Sequence, residues 1–298
     1  MCGVAGVVSR GSMSLGNDLL DMLWCVRHRG LDATGIALYE QRDQVRVRVT
    51  LPDPELAGEL LEIVGKVAQA TEHRLYQGEG IFTFYDALLE MDPERIGALH
   101  RAIDAHPRLC VHSIGKTLTV FKDQGDAAGI RARHEIRAAS GTHGIGHVRL
   151  ATESAEDINA AHPFTTPLFP ELAIVHNGQF TNYFNLRRFL EAKGARFKTR
   201  NDSEMAAHYL GWQMGSQGLG LEQALAAALE DFDGIFTILA ATPTQIGYVK
   251  DKLAIKPLLV FEQGGVTVFG SEQISLTPLF ADVFADEMDP GTVRVWSL

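Results

Sequence analysis

The chain has 298 residues, of which 46% are hydrophobic and 21% are charged, and its formal net charge is −10. This length fits one large domain or two ordinary ones, and it is sufficient for a substantial core. The negative charge argues against general nucleic-acid binding, which requires clustered lysine and arginine. Three cysteines are too few for a secreted disulfide framework. No apolar run approaches the roughly 20 residues that span a bilayer, and no signal sequence opens the chain, so we expect a cytoplasmic protein without a membrane segment.

Strand and helix patterns alternate along the chain, which indicates a mixed α and β protein. The apolar run at 4–9 predicts a buried strand, and residues 15–26 carry apolar side chains at helical spacing. From residue 144 onward strands with tight turns predominate, and the strand at 172–176 is predicted to run into a turn at Asn177-Gly178. Helices are predicted at 183–192, from 202 and at 221–229, and strands at 235–241, 246–250, 257–261 and 266–269.

Residues 45–132 have the pattern of a separate unit. Asp53-Pro54 and Asp92-Pro93 each place a capping acid before a proline that suits the first helical position. Apolar stripes at 3.6-residue spacing follow both pairs. Strands are predicted at 45–50, 80–85, 109–112 and 117–121, which gives the order β-α-β-α-β-β. We therefore expect an α/β subdomain over 45–132, inserted into a domain that spans 2–298.

Cys2 is the candidate nucleophile. The initiator methionine is commonly removed before a small side chain, and removal of Met1 would make Cys2 the N-terminus. A terminal cysteine combines a thiol whose reference pKa is about 8.5 with an α-amine whose reference pKa is about 7.7–8.0. That amine can act as the base for the thiol of its own residue. Taken alone, Met-Cys-Gly could simply be how a chain begins, so the assignment depends on the motifs downstream.

The order of six sequence motifs supports Cys2 as the candidate nucleophile. They are CGVAG at 2–6, RHRGLDATG at 27–35, GHVRLAT at 146–152, NAAHPF at 159–164, VHNGQFTN at 175–182 and NDSE at 201–204. In this order they closely resemble the class II glutamine amidotransferases. Each motif is a weak signal, but six in family order make coincidence improbable. The resemblance covers both ends of the chain and leaves out residues 45–132.

The resemblance implies a fold and a nucleophilic site. The fold is α+β, with the four-layer α-β-β-α arrangement of N-terminal-nucleophile hydrolases and the inserted α/β subdomain. Cys2 would attack the glutamine amide, and Arg29 would support the nucleophile loop. Asn177 and Gly178 would form the oxyanion hole, because the developing charge needs two preorganised donors. The alternative for Asn177-Gly178 is an ordinary hairpin turn.

The resemblance also implies a glutamine-binding set, namely Arg149, Thr152 and Asp202. A guanidinium can grip the α-carboxylate with a bidentate fork, which suits Arg149. The carboxylate of Asp202 can bind the α-ammonium. The alternatives are a rim charge for Arg149 and a helix cap for Asp202. The sequence departs from the family pattern at Leu31, where proline is common, and at Glu153, where several members carry His or Gly.

A finer resemblance concerns the partner. Residues 151–155, with Lys256-Pro257 and Gly270-Ser271-Glu272, look most like the stand-alone glutaminase-like subunits of glutamate synthase and N-methylglutamate synthase systems. Since the chain stops at Leu298 without an acceptor domain, we expect a separate synthase subunit of the flavin and iron–sulfur type. The glutaminase step itself needs no metal or organic cofactor. Two alternatives stay open: a non-catalytic, glutamine-sensing subunit, and an amidase that acts on another amide.

Overall fold

The computed structural model of the chain describes residues 2–136, 139–150 and 157–298. The strands of these residues are β1 (Gly3–Met13), β2 (Ala33–Tyr39), β3 (Val45–Leu51), β4 (Gln69–Gln77), β5 (Thr83–Glu90), β6 (Cys110–Gly115), β7 (Leu118–Gln124), β8 (Gly141–Arg149), β9 (Phe164–Thr165), β10 (Ala173–Phe180), β11 (Gly234–Thr242), β12 (Gln245–Lys250), β13 (Leu259–Gln263), β14 (Val266–Gly270), β15 (Asp286–Glu287) and β16 (Val293–Ser297). The α-helices are α1 (Leu15–Cys25), α2 (Ala57–Gly65), α3 (Ile96–Asp104), α4 (Ala127–Arg133), α5 (Tyr183–Ala192), α6 (Asp202–Gly215) and α7 (Leu221–Asp231).

Among the described residues the strands form three sheets. The seven-stranded sheet has the order β15-β13-β14-β1-β8-β2-β7, and the five-stranded sheet has the order β16-β12-β11-β10-β9. The four-stranded sheet has the order β4-β5-β3-β6. Because β1 lies between β14 and β8, the start of the chain is held in the middle of the largest sheet.

The seven-stranded and five-stranded sheets pack face to face. Side chains such as Val4 and Ile145 of the first sheet share one core with Val175 and Leu239 of the second. This packing follows from the period of two in a strand, which sends alternate side chains to opposite faces.

Helices cover the outer faces of these two sheets. On the seven-stranded sheet, the apolar stripe of α1 shares a core with residues of α4 and β2. On the five-stranded sheet, residues of α5, α6 and α7 pack with β10 and β11. The result is the predicted four-layer α-β-β-α arrangement, which is thereby confirmed.

The four-stranded sheet has its own core, formed with α2 and α3. As predicted, Asp53 and Asp92 cap the turns that lead into these helices, each accepting a backbone N–H at 3.0 Å. The predicted strand order was incomplete, because it lacked β4. That strand lies at a sheet edge with most of its side chains exposed, so its sequence lacks the apolar alternation that would reveal it.

The division of the chain into a domain over 2–298 and an inserted subdomain over 45–132 stays a prediction. Within that span, β7 pairs with β2 and so belongs to the seven-stranded sheet rather than to the four-stranded one.

In the part of the chain that the structure describes, no helix combines the length and apolar character that crossing a membrane requires.

Candidate active site

Cys2 lies immediately before β1, at the end of the seven-stranded sheet where β8 finishes. The pairing of Gly3 with Val148 brings Cys2 beside Arg149 and Leu150. The Cys2 Sγ is 3.9 Å from the carbonyl oxygen of Leu150, and the residue is partly exposed. The thiol thus lies beside the end of β8 and is partly exposed.

Two side chains hold the backbone carbonyl of Cys2. Arg29 donates from Nε to this oxygen at 2.9 Å, and Asn177 donates from Nδ2 at 3.1 Å. Asn177 belongs to β10 of the five-stranded sheet, so its hydrogen bond joins the two sheets at Cys2. The structure therefore brings together Cys2, Arg29 and Asn177, three residues that the sequence assigned to one site.

Glu272 anchors the other end of Arg29. Arg29 donates from Nη1 to Glu272 at 2.6 Å, and His28 contacts the same carboxylate at 3.1 Å. Burial acts to raise the pKa of Glu272, but the hydrogen bonds from Arg29 and His28 outweigh it and lower that pKa. The carboxylate therefore stays ionised near neutral pH and fixes the guanidinium that reaches Cys2.

Gly30 explains how the Arg29 segment comes so close to β8. A Cβ atom at this position would lie 2.3 Å from the backbone carbon of Arg149. Only glycine allows this approach without a shift of the backbone. The glycine of the second motif thus sets the distance between Arg29 and Arg149.

The predicted turn at Asn177-Gly178 is wrong. Both residues lie inside β10, where Asn177 pairs with Thr237 and Gly178 with Phe236 of β11. Gly178 has φ +145°, and a Cβ atom there would lie 1.9 Å from the carbonyl oxygen of Ile235. The glycine is therefore required by the close approach of β11, and the Asn-Gly pair lies within a continuously paired strand rather than in a hairpin turn.

Arg149 is the last residue of β8 and is buried. Its Nη1 donates to the backbone carbonyl of Asp157 at 3.3 Å. Burial lowers the pKa of Arg149, whereas the charges of Cys2, Asp32 and Asp157 act in the opposite direction. Arg149 follows Val148, which pairs with Gly3, so it lies at the end of β8 that adjoins Cys2.

Asp202 is the first residue of α6 and faces β10. Its Oδ2 accepts from the backbone N–H of Phe180 at 3.2 Å. The alternative that Asp202 caps the helix is wrong, because Asn201 accepts from the N–H of Ser203 at 2.8 Å. The carboxylate of Asp202 is therefore not engaged in capping.

Sequence reasoning did not assign site roles to three residues that support this arrangement, namely His176, Ser203 and Glu272. His176 shares a 2.8 Å hydrogen bond with Ser203, whose hydroxyl donates to Asp202 at 3.4 Å. Each of the three stands inside a motif or segment noted above, and that position was the available signal.

Thr152 lies outside the described residues. Among those described, no group of three or more His, Cys, Asp or Glu side chains could hold a metal ion.

The sequence is similar to that of glutamine amidotransferases. Residues 147–278 match the family model of the glutamine amidotransferase domain. A protein of Methanothermobacter thermautotrophicus, described as a candidate glutamine amidotransferase, is 33% identical over 306 residues, covering 100% of both chains. The glutamine amidotransferase-like protein GlxB of Rhizobium meliloti is 34% identical over 99% of this chain and 98% of its own.

A solved structure shares the fold. Glutamine phosphoribosylpyrophosphate amidotransferase from B. subtilis, complexed with ADP and GMP, superposes with a TM-score of 0.64 at 20% identity. The match covers 99% of this chain and 47% of the solved chain, so this chain spans about half the length of that enzyme. With the whole-length relatives, these findings identify an amide-hydrolysing enzyme of the N-terminal-nucleophile fold. The chain belongs to the class II glutamine amidotransferases.

Proposed function

We propose that this chain is a glutaminase subunit that hydrolyses L-glutamine to glutamate and ammonia and delivers the ammonia to a separate synthase of the glutamate synthase type. The observation that carries the proposal is the double hydrogen bond from Arg29 and Asn177 to the carbonyl of Cys2. These bonds join the backbone of Cys2 to a guanidinium and to a side-chain amide where the two central sheets meet.

In the proposed mechanism the α-amine of Cys2, exposed by removal of Met1, takes the proton of the thiol. The thiolate attacks the side-chain amide carbon of glutamine, and the amide oxygen becomes an oxyanion. The Asn177 amide has two N–H groups, of which one binds the Cys2 carbonyl. We assign the second, with the backbone N–H of Gly178, to the oxyanion.

Collapse of this intermediate breaks the carbon–nitrogen bond, and the protonated α-amine supplies the proton with which ammonia leaves. A γ-glutamyl thioester remains on Cys2. Water then attacks the thioester carbon, glutamate departs and the thiol is restored. These steps use only groups of this chain and water.

Recognition of the amino-acid end is assigned to Arg149, Asp202 and Thr152. The buried guanidinium of Arg149 is suited to the α-carboxylate, because its desolvation favours a bound counter-charge. Asp202 is suited to the α-ammonium, since Asn201 already caps its helix. The role of Thr152 rests on the motif alone.

Delivery to a separate chain is supported by two facts. Two relatives are covered by this chain over 100% and 98% of their length, whereas the B. subtilis enzyme has about half its chain outside the match. Ammonia protonates near neutral pH, so an uncoupled glutaminase would waste nitrogen. The flavin and iron–sulfur character of the acceptor rests on the resemblance at Lys256-Pro257 and Gly270-Ser271-Glu272, and the cytoplasm stays the predicted compartment.

A substitution can separate the hydrogen bond that Arg29 donates to the Cys2 carbonyl from the effect of its positive charge. Arg29→Lys keeps a cation near Glu272 but removes the Nε donor to Cys2, and loss of such a bond costs about 1–2 kcal/mol. We expect kcat for glutamine hydrolysis to fall about tenfold, with little change in KM. His28→Gln is the matched control, because His28 contacts Glu272 but not Cys2, and it should behave as wild type. Equal effects of both substitutions would contradict the assignment.

Arg149→Gln and Asp202→Asn test the recognition of a free amino acid. Each removes a charge-assisted contact worth about 1.5–3 kcal/mol, so kcat/KM for glutamine should fall by roughly 10- to 100-fold. With an analogue that lacks the α-carboxylate, Arg149→Gln should have no further effect. Steady-state kinetics with both substrates measure this. Wild-type kcat/KM in both variants would show that the enzyme recognises another amide.

Coupling to a synthase is tested by co-expression with candidate synthase subunits and isolation of the complex. We expect low kcat/KM for glutamine in the isolated chain and a clear rise in the complex, because docking can order loops over the substrate. Full turnover without a stable complex would instead indicate a self-sufficient glutaminase.

A further inference from the structure

A buried lysine of β7 holds the segment 157–163, which follows β8 along the chain. The side chain of Lys122 is 3% exposed. Its ammonium donates to the backbone carbonyl oxygens of Ala161 at 2.9 Å and of Pro163 at 3.3 Å. In the part of the chain that the structure describes, this ammonium forms no ion pair with a carboxylate. A buried ammonium is costly unless hydrogen bonds replace its lost water, and the two carbonyls of this segment supply them.

The segment lies directly against the seven-stranded sheet at Lys122. Lys122 pairs with Gly35 of β2, and a Cβ atom at Gly35 would lie 2.1 Å from the carbonyl oxygen of His162. The Nζ of Lys122 also lies 5.1 Å from the ring centre of Phe164, just beyond the segment. The lysine therefore grips the backbone on both sides of the residue that comes closest to β2.

Lys122 keeps its charge near neutral pH. Burial lowers the pKa of Lys122 to about 8, whereas the charges of Cys110 and Asp157 act in the opposite direction. A group with this pKa is largely protonated at pH 7, so all the N–H donors of the ammonium are present there.

The segment also contacts both parts of the proposed amino-acid site. At its start, the carbonyl oxygen of Asp157 accepts from Arg149 Nη1 at 3.3 Å. Further along, the carbonyl oxygen of Ala160 accepts from Asn201 Nδ2 at 2.9 Å. Asn201 caps α6, whose first residue is Asp202. One segment therefore connects the buried guanidinium with the helix that carries the carboxylate.

We propose that Lys122 is a positioning residue for glutamine recognition. Its ammonium fixes the segment 157–163, so that Arg149 and Asp202 keep the separation that the α-carboxylate and α-ammonium of one amino acid require. The inference rests on the glutamine-binding roles proposed above for these two residues. Because Lys122 acts on the segment and not on the reacting atoms, its loss should weaken substrate binding without slowing the chemistry at Cys2.

Steady-state glutaminase kinetics of the full chain test the inference with Lys122→Met. Methionine has a similar length but lacks the charge and the N–H donors of lysine. We expect KM for glutamine to rise about five- to tenfold, while kcat stays within twofold of the wild-type value. The inhibition constant of L-glutamate should rise by the same factor, because this product presents the same α-carboxylate and α-ammonium. A fall in kcat at unchanged KM would overturn the inference.

Lys250→Met is the matched control. Lys250 is a fully buried lysine of β12, and its Nζ donates to the Glu287 carboxylate and to the Met288 carbonyl, both at 2.8 Å. Both substitutions remove a buried ammonium and should lower the melting temperature, but Lys250→Met should leave KM within twofold of wild type. Equal rises of KM in the two variants would reflect a general loosening of the core and would overturn the inference.

The remaining outcomes separate this inference from the proposed function. If the wild type hydrolyses glutamine with a saturable KM and Lys122→Met has the same KM, the inference alone fails. If the wild type does not hydrolyse glutamine, the proposed function fails and the inference fails with it.

A second variant decides if Lys122→Met does not fold. Asn201→Ser keeps a good cap for α6 but removes the amide that donates to the Ala160 carbonyl. A several-fold rise of KM at unchanged kcat supports positioning through the segment, and an unchanged KM overturns it.

Discussion

The carbonyl oxygen of Cys2 is the point on which the candidate active site depends. It is held from one side by Arg29, in the segment that follows α1, and from the other by Asn177 of β10. The N-terminal strand of one sheet is thereby fixed against the second sheet. Without these bonds the proposed nucleophile would be as mobile as most chain termini, and a mobile thiol could not keep its distance from the proposed oxyanion donors.

A second contact joins the same two sheets. His147 of β8 contacts the backbone oxygen of His176 of β10 at 3.1 Å, one residue before Asn177. Burial is the main cause that lowers the pKa of His147 to about 3, and burial also lowers the pKa of His176. Both rings are therefore neutral near pH 7. Through Ser203, His176 extends the network to Asp202, so the proposed ammonium ligand is coupled to the strand that carries the proposed oxyanion donors.

The features predicted correctly from the sequence are those that depend on local rules or on motif order. Asp53 and Asp92 cap their turns because an acid before proline can accept the N–H two residues on. The four-layer fold followed from the motifs. The Asn177-Gly178 turn was wrong because the conformation of Gly178 is set by Ile235, which is distant in the sequence. Glu272 received no role because it lies 243 residues from Arg29, and no spacing rule reaches that far.

The central claim is that Cys2, at a processed N-terminus, is the nucleophile. Its most direct measurement is the intact mass and peptide map of the protein after reaction with a glutamine analogue that carries an electrophile at the γ position. The account predicts one adduct per chain, on Cys2, in protein that lacks Met1. An adduct on Cys25 or Cys110, or an equally rapid adduct on Cys2 with Met1 still attached, would contradict it.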